Sequence, residues 1–420
     1  MRAVLVVVLF SLITGILPRN VVQAHAIKAE DYQFPFQDPW IASICSAAVM
    51  FNGGNQEKIQ IEMLPERRTV KLLENRNRVS FNLFEQKGKS APLVFVLSGT
   101  GGTAFSSSAL ATGKQLFDLG YHVVTLPNNV NYQYAIGVSR TGAPGYMPND
   151  AKEYYELLKQ VTAYLKQYRS LQIQDYSIVG YSLGGLMAGF LVQEDTNGAQ
   201  LFNFKKIVMI DPAVDIGYAL DVLDKAYDAG TRISSTRKES INGMIYAVGF
   251  DVLDHGFNLN KILAAVDKVN LTMDERQWLV GYNFRNDLGD VVFASQQIND
   301  MNVLKNKATK YDMNARLNES KTISFNQYMR EIVFPSLKME GVSLATLVHN
   351  SNFFSLESLR NHPNLYIFAN ADDYIHRPKD VQFMKDFIPD SQFYLYPHGG
   401  HVGNLWYPKN RADLDAVMKF

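Results

Sequence analysis

The chain has 420 residues, of which 47% are hydrophobic and 20% charged, so it is long enough for one large core with an insertion or for two domains. Its 41 basic and 41 acidic side chains cancel, which argues against nucleic acid or an anionic membrane surface as a partner. It contains neither a Cys/His cluster at zinc spacing nor a glycine-rich nucleotide loop, and we expect no metal ion and no cofactor.

The first 26 residues differ in composition from the rest of the chain. Arg2 precedes an apolar stretch over residues 3–17, and the segment ends in Ala24-His25-Ala26. A positive start, an apolar stretch shorter than a membrane span and a small-residue cleavage site are typical of a secretory signal peptide. We expect residues 1–26 to be removed and the mature chain to be secreted or periplasmic, with no stable membrane span. An uncleaved anchor is the alternative.

Cys45 is the only cysteine, so an exported form of this chain would have no intramolecular disulfide framework. The residue lies in a small apolar segment, which predicts a buried structural thiol.

Residues 27–90 form a predicted N-terminal extension. Its segment 69–92 alternates apolar and polar residues and predicts two antiparallel strands with a turn near residues 74–77. Buried strands and helices then alternate, which predicts a mostly parallel sheet covered on both faces. The predicted strands are 92–97, 121–126, 176–179, 206–210, 365–369 and 393–396, and the predicted helices are 106–118, 149–168, 183–194, 379–387 and 409–419.

The alternation stops between residues 215 and 360, where helical patterns dominate. We therefore predict an α/β core in two parts, 91–214 and 361–420, interrupted by a helical insertion over 215–360. An insertion at the carboxyl edge of such a sheet would lie over the active-site face as a lid or substrate-binding cap. Aromatic residues in the insertion are more typical of its core than of a pocket: Tyr246, Phe250, Phe257, Trp278, Tyr282 and Phe284.

Residues 180–184 read Gly-Tyr-Ser-Leu-Gly, a G-x-S-x-G pattern between a predicted strand and a predicted helix. A serine hydroxyl is a poor nucleophile and needs a base, a group that orients the base, and donors for the oxyanion. A sharp strand-to-helix turn flanked by glycines would expose the hydroxyl of Ser182 above the sheet. The sequence therefore predicts Ser182 as a nucleophile.

Two further segments supply the oxyanion donors and the base. The N–H of Leu183, directly after the nucleophile, is the first predicted donor. The second comes from the glycine-rich segment 97–103, where Thr100 is preferred over Gly101. The predicted base is His401, which lies in the glycine-rich loop 397–404 after the last strand, with His398 as the alternative. The other histidines fit this role less well: His25, His122, His255, His349, His362 and His376.

The orienting acid is predicted in the segment 368–378, which follows a buried strand. A carboxylate here would hold the imidazole tautomer and stabilise the imidazolium. Asp373 is preferred because the apolar residues after it indicate an inward position, Asp372 is the alternative, and Asp211 at the end of an earlier strand is a weaker one.

The order Ser182, Asp373, His401, each just past a predicted strand, resembles the α/β-hydrolase superfamily of serine hydrolases. The segments that carry the resemblance are SGTGG, GYSLGG, NADD and HGGHVGN, within residues 91–214 and 362–420. The resemblance implies an eight-stranded, mostly parallel sheet and a Ser-acid-His triad. Many members have His-Gly where this chain has Ser98-Gly99, so the oxyanion loop departs from their pattern.

By this resemblance we expect an esterase-like or lipase-like enzyme that acts on a small-molecule or lipid ester. An acyltransferase with the same triad, a peptidase and a non-catalytic binding protein on the same fold are the alternatives.

Overall fold

The computed structural model describes residues 25–46, 56–73, 76–255, 258–309 and 311–420. One twisted sheet runs through the described chain. Its strands are β1 His25–Ala26, β2 Glu57–Ile61, β3 Val79–Phe84, β4 Ala91–Leu97, β5 His122–Leu126, β6 Ile173–Tyr181, β7 Ile207–Ile210, β8 Leu365–Asn370 and β9 Phe393–Tyr396.

The strand order is β1-β9-β8-β7-β6-β4-β5-β3-β2. Strands β4 to β9 pair in parallel, and β1 pairs in parallel with β9. Only β3 runs antiparallel, to β5 on one side and β2 on the other. Because β4 and β7 are buried along their whole lengths, their sequences are continuous apolar runs rather than alternating ones. The predicted α/β class with a mostly parallel sheet is confirmed.

The described α-helices are α1 Pro39–Ser46, α2 Ser107–Asp118, α3 Tyr132–Gly137, α4 Met147–Arg169, α5 Leu183–Asn197, α6 Ile216–Asp228, α7 Ser235–His255, α8 Leu259–Val269, α9 Met273–Ile298, α10 Asn314–Ser320, α11 Phe325–Tyr328, α12 Phe334–Leu337, α13 Leu344–Asn350, α14 Pro378–Phe387 and α15 Pro408–Met418. A π-helical segment, Met329–Val333, joins α11 to α12. Shorter 3-10 segments are Pro65–Thr69, Lys71–Leu73, Ala229–Arg232, Phe353–Leu359 and Asp390–Gln392.

The predicted core strands and helices match β4 to β9, α2, α4, α5, α14 and α15, with ends shifted by a few residues. The apolar face of α4 is buried, whereas Tyr168 near its C-terminal end is 66% exposed. The predicted hairpin over 69–92 is wrong in its first strand. Its first part forms short 3-10 turns, and β3 instead pairs with β2, which lies upstream.

Between β7 and β8, every described element is helical, from α6 to α13 and the segments that join them. The helix α9 packs against α6, α10 and α1, and its first turn has a capping box between Thr272 and Glu275. The buried apolar faces of this region form a cluster beside the sheet's carboxyl edge, which includes Leu223, Leu288, Val292 and Tyr328.

The N-terminal part of the described chain crosses the carboxyl edge of the sheet. The two-residue strand β1 lies at the predicted cleavage site and adds a ninth strand, beside β9, to the eight that the resemblance implies. The rest of the predicted signal peptide, residues 1–24, lies outside the described residues. Within the described ranges no helix is long and apolar enough to cross a membrane.

Cys45 is buried, as predicted, and burial raises the pKa of its thiol to about 12.

Candidate active site

The turn from β6 to α5 places Ser182 in a strained backbone conformation. Its φ is 57° and its ψ is −131°, and its N–H donates to the carbonyl of Ile210 at 2.8 Å. A Cβ at Gly180 would overlap the carbonyl of Gly184, and one at Gly184 would overlap the carbonyl of Ser98. The two glycines of the G-x-S-x-G pattern are therefore required by close backbone contacts, and the strain is typical of a functional turn.

A hydrogen-bonded chain links Ser182, His401 and Asp373. The Oγ of Ser182 lies 2.7 Å from Nε2 of His401, and Nδ1 of His401 lies 2.8 Å from Oδ2 of Asp373. All three side chains are buried. Because an ionised carboxylate only accepts, the ring proton of neutral His401 belongs on Nδ1, which leaves Nε2 free to accept from the serine hydroxyl. The structure thus brings together the three residues preferred from the sequence.

The alternative residues contact the histidine loop rather than the imidazole. Asp372 accepts a hydrogen bond from the N–H of Gly400 at 2.8 Å, and Nδ1 of His398 lies 3.8 Å from the other oxygen of Asp372. Asp372 therefore holds the loop backbone, while the imidazole of His401 is held by Asp373.

Asp211 supports the same loop from behind. Its Oδ1 accepts from the N–H of Asn370 at 2.9 Å, and its Oδ2 accepts from Nδ2 of Asn370 at 2.7 Å and from the N–H of Val402 at 2.9 Å. The side chain of Asn370 also donates to the carbonyl of Gly400. Asp211 therefore fixes the backbone on both sides of His401.

Helix α1 clamps the histidine loop from the other side. The hydroxyl of Ser43 accepts from the N–H of His401 at 2.9 Å and lies 3.0 Å from the carbonyl of His401, to which it can donate. A Cβ at Gly400 would overlap the carbonyl of Pro39, so the loop requires glycine where the helix crosses it. Trp40 of the same helix stacks on Tyr374 with ring centroids 3.9 Å apart, and Tyr374 lies beside the ring of His401.

Burial disfavours the charged forms of the ionisable groups at the site. It lowers the pKa of His401 to about 4, because desolvation penalises the imidazolium. It raises the pKa of Asp373 to about 7, and the neighbouring His376 opposes that shift. Burial also raises the pKa of Asp211 well above its usual range, with the negative charge of Asp373 as a further cause. The neutral imidazole, which can accept a proton, is therefore the favoured form of His401.

The predicted oxyanion donors lie beside the nucleophile. Leu183 is the first residue of α5, so its N–H has no partner within the helix. Thr100 lines the same cavity as Ser182, Leu183 and His401. Gly101 is already engaged, because its N–H donates to the carbonyl of Val130 at 3.0 Å. The geometry therefore favours Thr100 over Gly101 for the second donor.

A mainly apolar cavity opens onto Ser182 between the sheet edge and the insertion. Its volume is about 60 Å³, measured as the space open to the centre of a water-sized sphere. The insertion supplies eight of its seventeen lining residues: Ile216, Ala219, Leu220, Leu223, Phe284, Phe325, Tyr328 and Met329.

Of the four insertion aromatics whose side chains the structure describes, only Phe284 lines this cavity. Trp278 is buried in the core as predicted, whereas Phe250 and Tyr282 are exposed, with exposed fractions of 63% and 37%. The side chain of Tyr246 and residue Phe257 lie outside the described part of the chain.

Four contributors to the site were not assigned a role from the sequence: Ser43, Asn370, Tyr374 and His376. For His376, the spacing of three residues after Asp373 on a turn was the available signal. Ser43 lies 358 positions from His401 and gave no sequence signal. No group of three His, Cys, Asp or Glu side chains within the described ranges could hold a metal ion.

No protein-family model matches the chain, and no curated protein matches it. Solved structures similar to it include an esterase of Pyrobaculum calidifontis, with 13% identity, a TM-score of 0.44 and coverage of 90% of this chain and 89% of that one. A Pyrococcus furiosus esterase has 12% identity, a TM-score of 0.39 and coverage of 88% and 95%. A structure of fungal esterases from Rhizomucor miehei has 11% identity, a TM-score of 0.44 and coverage of 90% and 88%.

Similarity at such low sequence identity does not establish a function. The strand topology and the positions of the site residues identify the fold. The sheet is mostly parallel, with a helical insertion between β7 and β8. A serine lies on a strained turn after β6, an acid follows β8 and a histidine follows β9. This is the α/β-hydrolase fold.

Proposed function

We propose that the chain is a serine hydrolase that cleaves a carboxylic ester through an acyl-enzyme intermediate. The observation that carries the proposal is the unbroken hydrogen-bonded chain from Ser182 through His401 to Asp373, with the serine on a strained backbone. A surface serine beside a histidine would not need the backbone strain, the flanking glycines or a buried third partner.

In the proposed reaction, Oγ of Ser182 attacks the ester carbonyl while Nε2 of His401 takes the hydroxyl proton. The protonated His401 then gives that proton to the leaving alcohol as the carbon–oxygen bond breaks. Water, activated by the same imidazole, adds to the acyl-enzyme and releases the acid. In this reaction Asp373 acts in its ionised form and stabilises the imidazolium through Nδ1.

The N–H groups of Thr100 and Leu183 are proposed to hold the oxyanion of each tetrahedral intermediate. Both residues line the cavity at Ser182, and Leu183 adds the N-terminal field of α5. A donor in this role is worth about 3 kcal/mol of barrier.

The cavity favours an ester with a short apolar acyl group. Side chains that line it from the insertion carry no charge, which disfavours a charged substrate group inside it. A buried water occupies about 10–15 Å³ on the same measure, so the cavity holds about four to six water-sized groups. Acyl chains of about that many carbons fit without rearrangement of the insertion.

We also propose that the enzyme works outside the cytoplasm, on the strength of the N-terminal sequence alone. Amino-terminal sequencing of the protein from the extracellular or periplasmic fraction would test this, with Ile27 expected as the first residue.

The catalytic proposal is tested by turnover of p-nitrophenyl esters of increasing acyl length by the wild type and Ser182→Ala. We expect a preference for short chains and a loss of roughly a million-fold in kcat in the variant. An added alcohol tests for acyl transfer, since an ester product would reveal an acceptor other than water. Equal turnover by the wild type and Ser182→Ala would overturn the proposal.

A further inference from the structure

A second imidazole contacts the acid of the proposed triad. His376 lies in the turn after β8, three residues beyond Asp373, and only 1% of its side chain is exposed. Its Nδ1 is 3.4 Å from Oδ2 of Asp373, the same oxygen that is bonded to Nδ1 of His401. One carboxylate oxygen therefore lies between two buried imidazoles.

The other ring nitrogen of His376 fixes one of its protons. Nε2 lies 2.9 Å from the carbonyl oxygen of Pro212, and a carbonyl only accepts, so Nε2 carries a hydrogen. In a neutral ring, Nδ1 would then present a lone pair to the carboxylate of Asp373. Nδ1 makes no hydrogen bond to any described residue, so no other described group donates a hydrogen bond to that lone pair. A second ring proton converts this repulsive contact into an ion pair.

The surroundings favour a cation at His376. The titratable groups that face Asp373 are three acidic ones and two imidazoles: Asp211, Asp372, Tyr374, His376 and His401. None of the three acidic groups can supply the positive charge that would balance Asp373.

The nearby guanidinium of Arg377 is already engaged, because it pairs with Asp215 and Asp380. His401 must stay neutral to act as a base, so His376 is the group that can balance the charge of the acid.

We propose that His376 is a positioning residue, an imidazolium that keeps the carboxylate of Asp373 ionised and directed at His401. The inference rests on the proposed hydrolase function and extends the triad to a second imidazole behind the acid. Asp373 is held on both oxygens, since its Oδ1 also accepts from the N–H of Ile375 at 3.0 Å.

The test uses two neutral replacements that keep different hydrogen bonds. His376→Asn can donate to Asp373 from near the position of Nδ1, and His376→Gln can donate to the carbonyl of Pro212. Removing an opposite charge raises the pKa of a carboxylate by about 1–3 units. Both variants should therefore move the acid limb of the kcat/KM–pH profile upward by about one pH unit or more. Activity should recover toward the wild-type value at alkaline pH.

A merely structural role predicts a different result, namely a similar loss of kcat/KM at every pH with the acid limb in place. That result in both variants would overturn the proposal. His362→Asn is the matched control, because His362 lies before β8 and its Nδ1 accepts from the N–H of Asn364. We expect its pH profile to match that of the wild type.

A second measurement does not depend on turnover. In ¹⁵N-histidine-labelled Ser182→Ala protein, the ring signals missing from the His376→Asn form of that protein identify His376. We expect both nitrogens of this ring to be protonated while Asp373 is ionised, and a ring protonated on Nε2 alone would overturn the proposal. If the wild type cleaves no ester and binds no serine-directed phosphonate, the proposed function fails, while this spectrum still decides the state of His376.

Discussion

Replacing Ser43 tests whether helix α1 holds the catalytic loop in place. Ser43→Ala removes the oxygen that accepts from the buried N–H of His401 at 2.9 Å. A buried donor left without a partner costs about 1–3 kcal/mol. If the loop stays in place, the free energy of unfolding should fall by about that amount. If the loop shifts to find another partner, the loss appears in kcat instead, where about 1.4 kcal/mol is a factor of ten.

Denaturant unfolding and steady-state turnover of a short-chain ester measure the two losses separately. Ser46→Ala is the matched control, because its hydroxyl donates to the carbonyl of Ser43 at 2.7 Å on the same helix without contacting His401. We expect Ser43→Ala to be the more damaging variant in stability, kcat or both. If the two variants are indistinguishable in both measurements, α1 does not hold the loop of His401 in place and the prediction is refuted.

Three further predictions concern the core, the turn and the cavity. Burial raises the pKa of Asp150 to about 8, so the folded state binds more protons than the unfolded one between about pH 4 and 8, and stability falls as pH rises through that window. Asp150→Asn keeps an oxygen acceptor and should flatten this dependence in thermal melts. Gly184→Ala should abolish activity, because its Cβ overlaps the carbonyl of Ser98, whereas Gly243→Ala, which meets open space in α7, should leave kcat unchanged. Leu220→Trp should fill the cavity and lower turnover of longer acyl esters relative to acetate.

The core strands were predictable because a parallel sheet covered on both faces demands continuous apolar runs, and β4 and β7 supply them. The first predicted hairpin strand failed for the opposite reason. Residues 69–73 alternate as a strand would, but the pairing partner of β3 lies upstream at β2, and a short alternating run does not reveal its partner.

The three triad residues were predictable because each follows a strand that the apolar pattern had already located. The choice of Asp373 over Asp372 depended on which carboxylate points inward, and the apolar residues after Asp373 carried that information. The contacts of Asp211 with Val402 and of Ser43 with His401 join residues 191 and 358 positions apart. Such contacts depend on how loops meet above the sheet, and no local pattern encodes them.

Reaction of the purified protein with a fluorophosphonate tests the nucleophile most directly. A strained serine activated by a neutral imidazole should react with the probe, whereas an ordinary serine should not. We predict one phosphonyl group per chain, found by peptide mass mapping on Ser182, with labelling and ester turnover lost together in Ser182→Ala. An unreactive wild type, a label on another residue, or equal labelling of Ser182→Ala would contradict it.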